Sequence, residues 1–310
     1  MPNGLLFALM CLIWGLTWIA IKTGVEALPP LTFAAWRFLA AGALLLALAG
    51  PGKSARLLGR QPLRLVAAAL LVNTACYGFL FWGMGFVSSG LSAVVNLALI
   101  PVGLFGLGVL LRQETFTRRQ AAALLIGVGG LGLLFRPRLE LAGNADELYG
   151  LAAIVAGTLA YCLGSLLARP VLEGARPLAV AGLLTFIGGL GLLALAALLE
   201  PLAELTAADF LTPPVLASWL FLVLGGSLAA FTIYLKLLRD WGPSQAGLYA
   251  FVSPLIAVAV GMAVFGEPFG TNEALGSAVM LGAVALARAN QIRCFRWRPG
   301  GIESPGHERL

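Results

Sequence analysis

Charge is scarce in this chain and histidine nearly absent: of 310 residues 11% are charged, and the one histidine, His307, lies close to the C-terminal end. No Asp, Glu or His falls well inside a long apolar run; Glu26, Glu114, Glu267 and Glu273 sit at run ends or in connections. That absence removes the groups on which acid–base catalysis, metal-assisted hydrolysis and buried proton relays depend. There is no HExxH, no pair of intramembrane aspartates and no Walker A loop, so the chain is not read as an enzyme and no cofactor is expected. Cysteine is sparse too. Cys11, Cys76, Cys162 and Cys294 lack metal-ligand spacing and three of them fall in apolar runs, so neither a metal centre nor a disulfide framework follows.

Apolar length is what the chain has in excess, with 60% hydrophobic residues and a mean hydropathy of +0.93. Ten runs, near 4–22, 31–49, 65–86, 90–111, 120–135, 149–168, 178–198, 215–235, 244–265 and 272–288, approach or reach the length that crosses a hydrocarbon layer of about 30 Å as a helix. None alternates with period two, which rules against a barrel; lipid otherwise tolerates only helices. The first run lacks a basic n-region and a small-residue cleavage site, and so reads as a span and not a leader. The expected fold class is an all-α polytopic membrane protein with the lipid bilayer as its surroundings.

Of the twenty Lys and Arg residues, sixteen fall in the connections on the side of the two termini, Lys22, Arg136 and Arg138 fall on the other, and Arg37 lies inside span 2. By the positive-inside rule both termini, and the basic tail 291–310, are cytoplasmic. This bias accounts for the net charge of +6 without a nucleic-acid partner.

The stretches "RQETFTRR" from Arg112 and "GEPFGTNE" from Gly266 repeat a pattern. Sliding the chain by 153 residues brings Ala93 onto Ala246, Pro101 onto Pro254, Glu114 onto Glu267, Phe116 onto Phe269 and Gly129 onto Gly282. Five spans per copy is an odd number, so the second copy enters the membrane from the opposite side. The expected organisation is two inverted five-helix repeats, 1–143 and 144–290, around a central cavity. Such repeats suit a midplane site that opens alternately to either side; duplication that records only ancestry, and a pore-like channel, are the other readings.

With "LIWGLTWIAIK" in span 1, "WRFLAAGALLL" in span 2 and a proline, an apolar helix, a Glu-bearing turn and a Gly-rich helix in both spans 4–5 and 9–10, the sequence resembles the EamA-type branch of the drug/metabolite transporter superfamily over residues 4–290. The resemblance implies a five-plus-five bundle in the cell (inner) membrane that exports small metabolites, amino acids among them, and the aromatic amino acid exporters of the branch in particular. Span 6 departs from the span 1 pattern, with Ala160 and Tyr161 opposite Trp14 and Gly15. The two half-sites are therefore not equivalent.

Polar and aromatic residues inside spans are the candidates for a small-molecule site, because an unpaired polar group in hydrocarbon costs several kcal/mol. They are Trp14; Asn73, Tyr77 and Phe81, spaced every four residues; Asn96; Tyr161; Tyr234; and Tyr249 and Ser253. For each, a helix-to-helix hydrogen bond competes with substrate contact. Pro101 and Pro254 lie deep in their spans, free the carbonyls of Leu97 and Ala250, and are read as hinges or kinks. Arg37 is the basic residue well inside a span and is either a structural group that reaches the surface or a functional one. Trp82, Trp219, Trp241 and Trp297 read as interfacial anchors, and Ala274, Ala278 and Gly282 as a stripe for close helix contact or a weak homodimer; a monomer is the other expectation. Glu114 and Glu267 are expected to cap helix starts.

Overall fold

Proline opens six of the helices. In the computed structural model, which describes residues 1–87, 89–136, 145–201, 206–265 and 270–295, Pro30, Pro51, Pro62, Pro177, Pro213 and Pro243 each stand at a first helical position. The missing N–H costs nothing there and the fixed φ is already helical. The order is α1 (Asn3–Ala27), α2 (Pro30–Ala49), α3 (Pro51–Arg60), α4 (Pro62–Ala69), a π-helical segment (Leu70–Ala75), α5 (Cys76–Met84), α6 (Ser89–Leu110), α7 (Arg118–Phe135), α8 (Ala145–Glu173) and α9 (Pro177–Leu199). After these come α10 (Ala207–Phe210), α11 (Pro213–Phe221), a second π-helical segment (Leu222–Phe231), α12 (Thr232–Trp241), α13 (Pro243–Gly247), α14 (Tyr249–Phe265) and α15 (Thr271–Phe295).

The chain is an all-α polytopic membrane protein. Among the described residues nine helical stretches are long and apolar enough to span, α4–α5 and α11–α12 each counting once with their π segments. A tenth long helix, α15, is less apolar, since its first turn holds Asn272 and Glu273, but it packs along α7. Short connections make consecutive long helices antiparallel. The face on which α1 begins is called here the terminal face, and the other the far face.

The neighbours recur in a pattern: α1 packs on α14 and the second π segment, while α8 packs on α6 and the first π segment; α2 lies along α9, and α7 along α15. The π segments themselves fall at corresponding places, 70–75 and 222–231, under the same shift of 153 residues. Glycines permit the closest approaches. A Cβ at Gly42 would stand 2.6 Å from the backbone of Phe186 on α9, and one at Gly276 2.5 Å from the backbone nitrogen of Leu134 on α7.

Several expectations are corrected. Residues 51–60, taken as part of a connection, form α3, an amphipathic basic helix whose Leu57 and Leu58 pack on the core while Arg56 and Arg60 stay exposed. The small-residue stripe of α15 does not make the close contact with α7: Ala274, Ala278 and Gly282 are exposed, which leaves only the homodimer alternative for them, and Gly276, Met280, Ala283 and Ala287 are the buried side. Trp219 is no free interfacial anchor but stacks on Trp36 at 4.5 Å, with its indole nitrogen buried. Trp241 packs on Phe7 and lies under the Arg288 guanidinium, whereas Trp82 is open at the end of α5 as expected. Trp297 and Glu267 lie outside the described residues. Glu147, which the sequence reading passed over, is buried in the first turn of α8.

Helix ends are closed by side chains from elsewhere. Glu200, just past α9, accepts hydrogen bonds at 2.7 Å from the backbone N–H groups of Leu31 and Thr32 and from the Thr32 hydroxyl, which ties the start of α2 to the end of α9. Thr206 and Asp209 form a capping box on α10, and the two donors of Thr206 hold the Asp209 carboxyl below its ordinary pKa.

Candidate functional site

Four of the proposed residues meet. Trp14 on α1 lies 4.4 Å from Tyr249 on α14 and 5.5 Å from Tyr234 on α12, ring centre to ring centre; Tyr161 on α8 lies 5.8 Å from Tyr234. The Tyr249 hydroxyl donates to the Tyr161 hydroxyl at 3.2 Å, and Phe231 closes one side against Tyr234. Trp14 is held in place by its indole N–H, which donates to the Gly226 carbonyl at 3.2 Å inside the second π segment. The wider turn of a π segment disturbs the backbone ladder, a feature often found at functional positions.

The cluster, with Tyr234 and Tyr249 buried and Trp14 and Tyr161 half-buried, is not fully satisfied. Tyr234 is 0% exposed and its hydroxyl has no hydrogen-bond partner among the described residues, although Ser165 and Tyr161 stand beside it. The hydroxyls of Ser165 and Ser253 are likewise buried with no well-formed hydrogen bond among the described residues, Ser165 beside Tyr234 and Ser253 beside the Cys11 thiol. Ser253 sits where α14 touches α1, one turn beyond Tyr249, with its carbonyl against Gly15. Tyr234 lies seven residues before Trp241, roughly 10 Å from the terminal-face end of α12 at ~1.5 Å per residue.

Tyr77 and Phe81 belong to a second cluster, formed between α2 and α5. Their rings are 5.6 Å apart, Phe38 lies 5.1 Å from Tyr77, and the Arg37 guanidinium sits 4.1 Å from the Phe38 ring and 5.4 Å from the Tyr77 ring. Nη2 of Arg37 donates to the Tyr77 hydroxyl at 3.0 Å. Asn73, one turn earlier, donates to the Leu184 carbonyl at 2.9 Å and Thr74 to the Gly188 carbonyl at 2.9 Å, so both bind the first π segment to α9. Gly188 and Gly191 allow this closeness, since a Cβ at Gly188 would meet Asn73 at 2.5 Å. Asn96 is buried within α6.

The two prolines differ. Helix α6 runs through Pro101 without a break, and the Cys162 thiol donates to the neighbouring Ile100 carbonyl at 3.5 Å. On the other copy the break comes before Pro254, at Leu248 between α13 and α14, where the N–H groups of Leu248 and Phe251 reach back only three residues. Tyr249 is the first residue after it.

A clasp at the terminal face joins the connection between α6 and α7 to α8 and α13. Arg112 takes a left-handed conformation (φ 57°) that turns the amides of Gln113 and Glu114 back to the Gly108 carbonyl. Glu114 then accepts from the Ser244 N–H at the start of α13, not at the start of α7 as the sequence suggested; Thr117 caps α7 by accepting from the Gln120 N–H. Gln113 donates to the Leu166 carbonyl, and Arg169 donates to the Gln113 carbonyl at 2.7 Å. A cavity of about 200 Å³ lies here, lined by Phe105, Glu114, Gln120, Trp241, Ser244 and Gln245 among others.

The profile of the EamA-like transporter family matches residues 2–136 and again 148–289. The chain belongs to this family. It is 33% identical over 299 residues to the uncharacterized inner membrane transporter YedA of Escherichia coli K12, covering 91% of this chain and 89% of that one. Protein PagO of Salmonella typhimurium is 28% identical over 87% of this chain and 88% of its own length. A WAT1-related chloroplastic protein of Arabidopsis thaliana is 28% identical over 88% of this chain and 66% of its own. A solved crystal structure superposes with a TM-score of 0.77, covering 94% of this chain and 98% of that one at 19% identity, a likeness of fold alone.

This EamA protein is therefore a multi-pass inner membrane transporter, and its aromatic residues acquire a context. Sequence reading missed Arg37, Phe38 and Phe231 as members of the clusters. Arg37 carried a signal, a cation in a span, but its aromatic neighbours come from tertiary packing that no spacing reveals.

Proposed function

We propose that the protein is a secondary transporter that exports small neutral or zwitterionic metabolites, amino acids foremost and aromatic or other apolar ones among them, by alternating access. The observation that carries this reading is the aromatic cluster of Trp14, Tyr161, Tyr234 and Tyr249 with the unpartnered hydroxyls of Tyr234, Ser165 and Ser253. Buried polar groups without partners in a native interior call for a ligand or a change of state, and rings beside hydroxyls suit an amphipathic solute. Asn73, Tyr77, Phe81 and Asn96 complete the proposed pathway, with Pro101 and Pro254 as hinges.

The recurrence of helix neighbours at the repeat shift supports two inverted halves, 1–143 and 144–290. The bias of basic residues toward one set of connections supports cytoplasmic termini. The spans hold no acid or histidine at mid-depth in the sequence, so exchange or facilitated diffusion down the solute's own gradient is the proposed energetics. The test is counterflow in liposomes loaded with amino acids, with and without a pH gradient. Saturable trans-stimulated exchange indifferent to the pH gradient is expected; linear, non-saturating flux would favour a pore, and dependence on the gradient would remove the energetic reading.

A further inference from the structure

Arg37 is a membrane-depth cation that forms no ion pair among the described residues. It is 6% exposed and lies seven residues into α2, roughly 10 Å from the start of that helix at ~1.5 Å per residue. A guanidinium carries five N–H donors in a planar fork. Among the described residues only Nη2 donates, to the Tyr77 hydroxyl, while Nε is buried with no partner. Two acids at the far-face ends of α1 and α9 are engaged elsewhere. Glu200 gives both carboxylate oxygens to the start of α2, and Glu26 pairs with the exposed Lys22 at 3.8 Å.

A buried charge left unpaired is strongly unfavourable, and the aromatic faces of Phe38 and Tyr77 compensate it less fully than an anion would. Tyr77 and Phe81 are half-buried, so the charge lies one ring away from open space. What is missing is a flat anion able to take two parallel N–H groups.

We infer that Arg37 is the docking point for the carboxylate of the transported solute, received as a two-point ion pair between α2 and α5. This rests on the reading of the protein as a transporter of zwitterions and names the half of the solute that the aromatic cluster does not explain. One negative charge is the right amount. A phosphate ester would call for a second cation, and Lys22, the other basic residue of this part of the chain, is exposed and paired with Glu26. Arg also suits this task better than Lys would, since its fork matches carboxylate geometry and it is weakly hydrated.

The experiment uses the purified full-length chain in detergent, with matched pairs differing only at the carboxylate: L-phenylalanine and its amide, L-leucine and its amide. Binding is read from thermal stabilisation of the protein as each compound is titrated. At least one acid should bind about tenfold more tightly than its amide. Arg37→Gln should bring the acid down to the level of the amide and leave the amide unchanged, Arg37→Lys should fall between, and Tyr77→Phe should weaken the acid alone. If Arg37→Gln does not give a monodisperse protein, phenylglyoxal modification of the unaltered protein takes its place, and the acids should protect Arg37 while the amides do not. Acids and amides that bind alike, equal losses for both in Arg37→Gln, or modification unaffected by acids would each overturn the inference. Liposome counterflow separates the two claims: exchange that treats acid and amide alike sinks the role of Arg37 only, whereas acid-selective binding without exchange sinks transport only.

Discussion

At the scale of the residue, Trp14 illustrates how position and partner combine. Its ring forms one wall of the cluster, and its N–H is committed to the Gly226 carbonyl, so the indole cannot rotate without giving up that bond. Trp14→Phe keeps an aromatic wall but drops the donor, and should cost about 1 kcal/mol, the worth of a typical hydrogen bond. Trp14→Ala also empties the space between Tyr234 and Tyr249, and should cost about 3 kcal/mol or more. Melting in detergent checks the order, and counterflow saturation curves should shift to higher concentration for both variants, further for Ala; identical curves would remove Trp14 from the pathway. Much of this cluster was legible because aromatic and hydroxyl groups are few inside spans and expensive when idle. Asn73 shows the limit of that argument, for it satisfies the same signal by bonding to the Leu184 carbonyl, and sequence alone does not separate a tie between helices from a ligand contact.

At the scale of the element, hydrophobic length made the spans readable, whereas features that depend on backbone register did not show. The π segments at 70–75 and 222–231 share no residue signature, since one reads LLVNTA and the other LVLGGSLAAF and most of these residue types also fill the flanking α-helices. Helix α3 was hidden because a ten-residue helix has little stability of its own and forms here by laying Leu57 and Leu58 on the bundle. The face of α15 was also misread, because Ala and Gly are spread over all its sides and small size does not say which side touches α7. This gives a paired prediction. Gly276→Ala places a methyl 2.5 Å from the Leu134 nitrogen and 2.8 Å from the Gly130 carbonyl oxygen, so the helices must part at a cost of about 1–3 kcal/mol. Gly282→Ala meets nothing within 4 Å and should be neutral or slightly stabilising through helix propensity. Melting temperatures of the two variants in the same detergent decide it, and equal values would mean that α7 and α15 are not packed as described.

At the scale of the whole molecule, the clasp at the terminal face is a set of polar bonds between two halves that must separate if that face is to open. Glu114 to the Ser244 amide and Arg169 to the Gln113 carbonyl tie the α6–α7 connection to α13 and α8. Each is a single hydrogen bond to a charged group, worth about 1.5–3 kcal/mol when formed, which makes it strong enough to hold the face closed and weak enough to yield. The break at Leu248 sits directly beyond α13, so release of Ser244 would let that short helix move without unwinding α14. Glu114→Cys with Ser244→Cys, in a Cys294→Ser background, puts a thiol on each side of the clasp, while Cys11, Cys76 and Cys162 are buried. Joining the pair with a short cleavable bis-thiol reagent should stop counterflow, and cleaving the linker should restore it, because solute held at the aromatic cluster could then leave only by the far face. Exchange at the unlinked rate in fully joined protein would show that the terminal face need not part there, and the clasp would be a structural tie and not a gate.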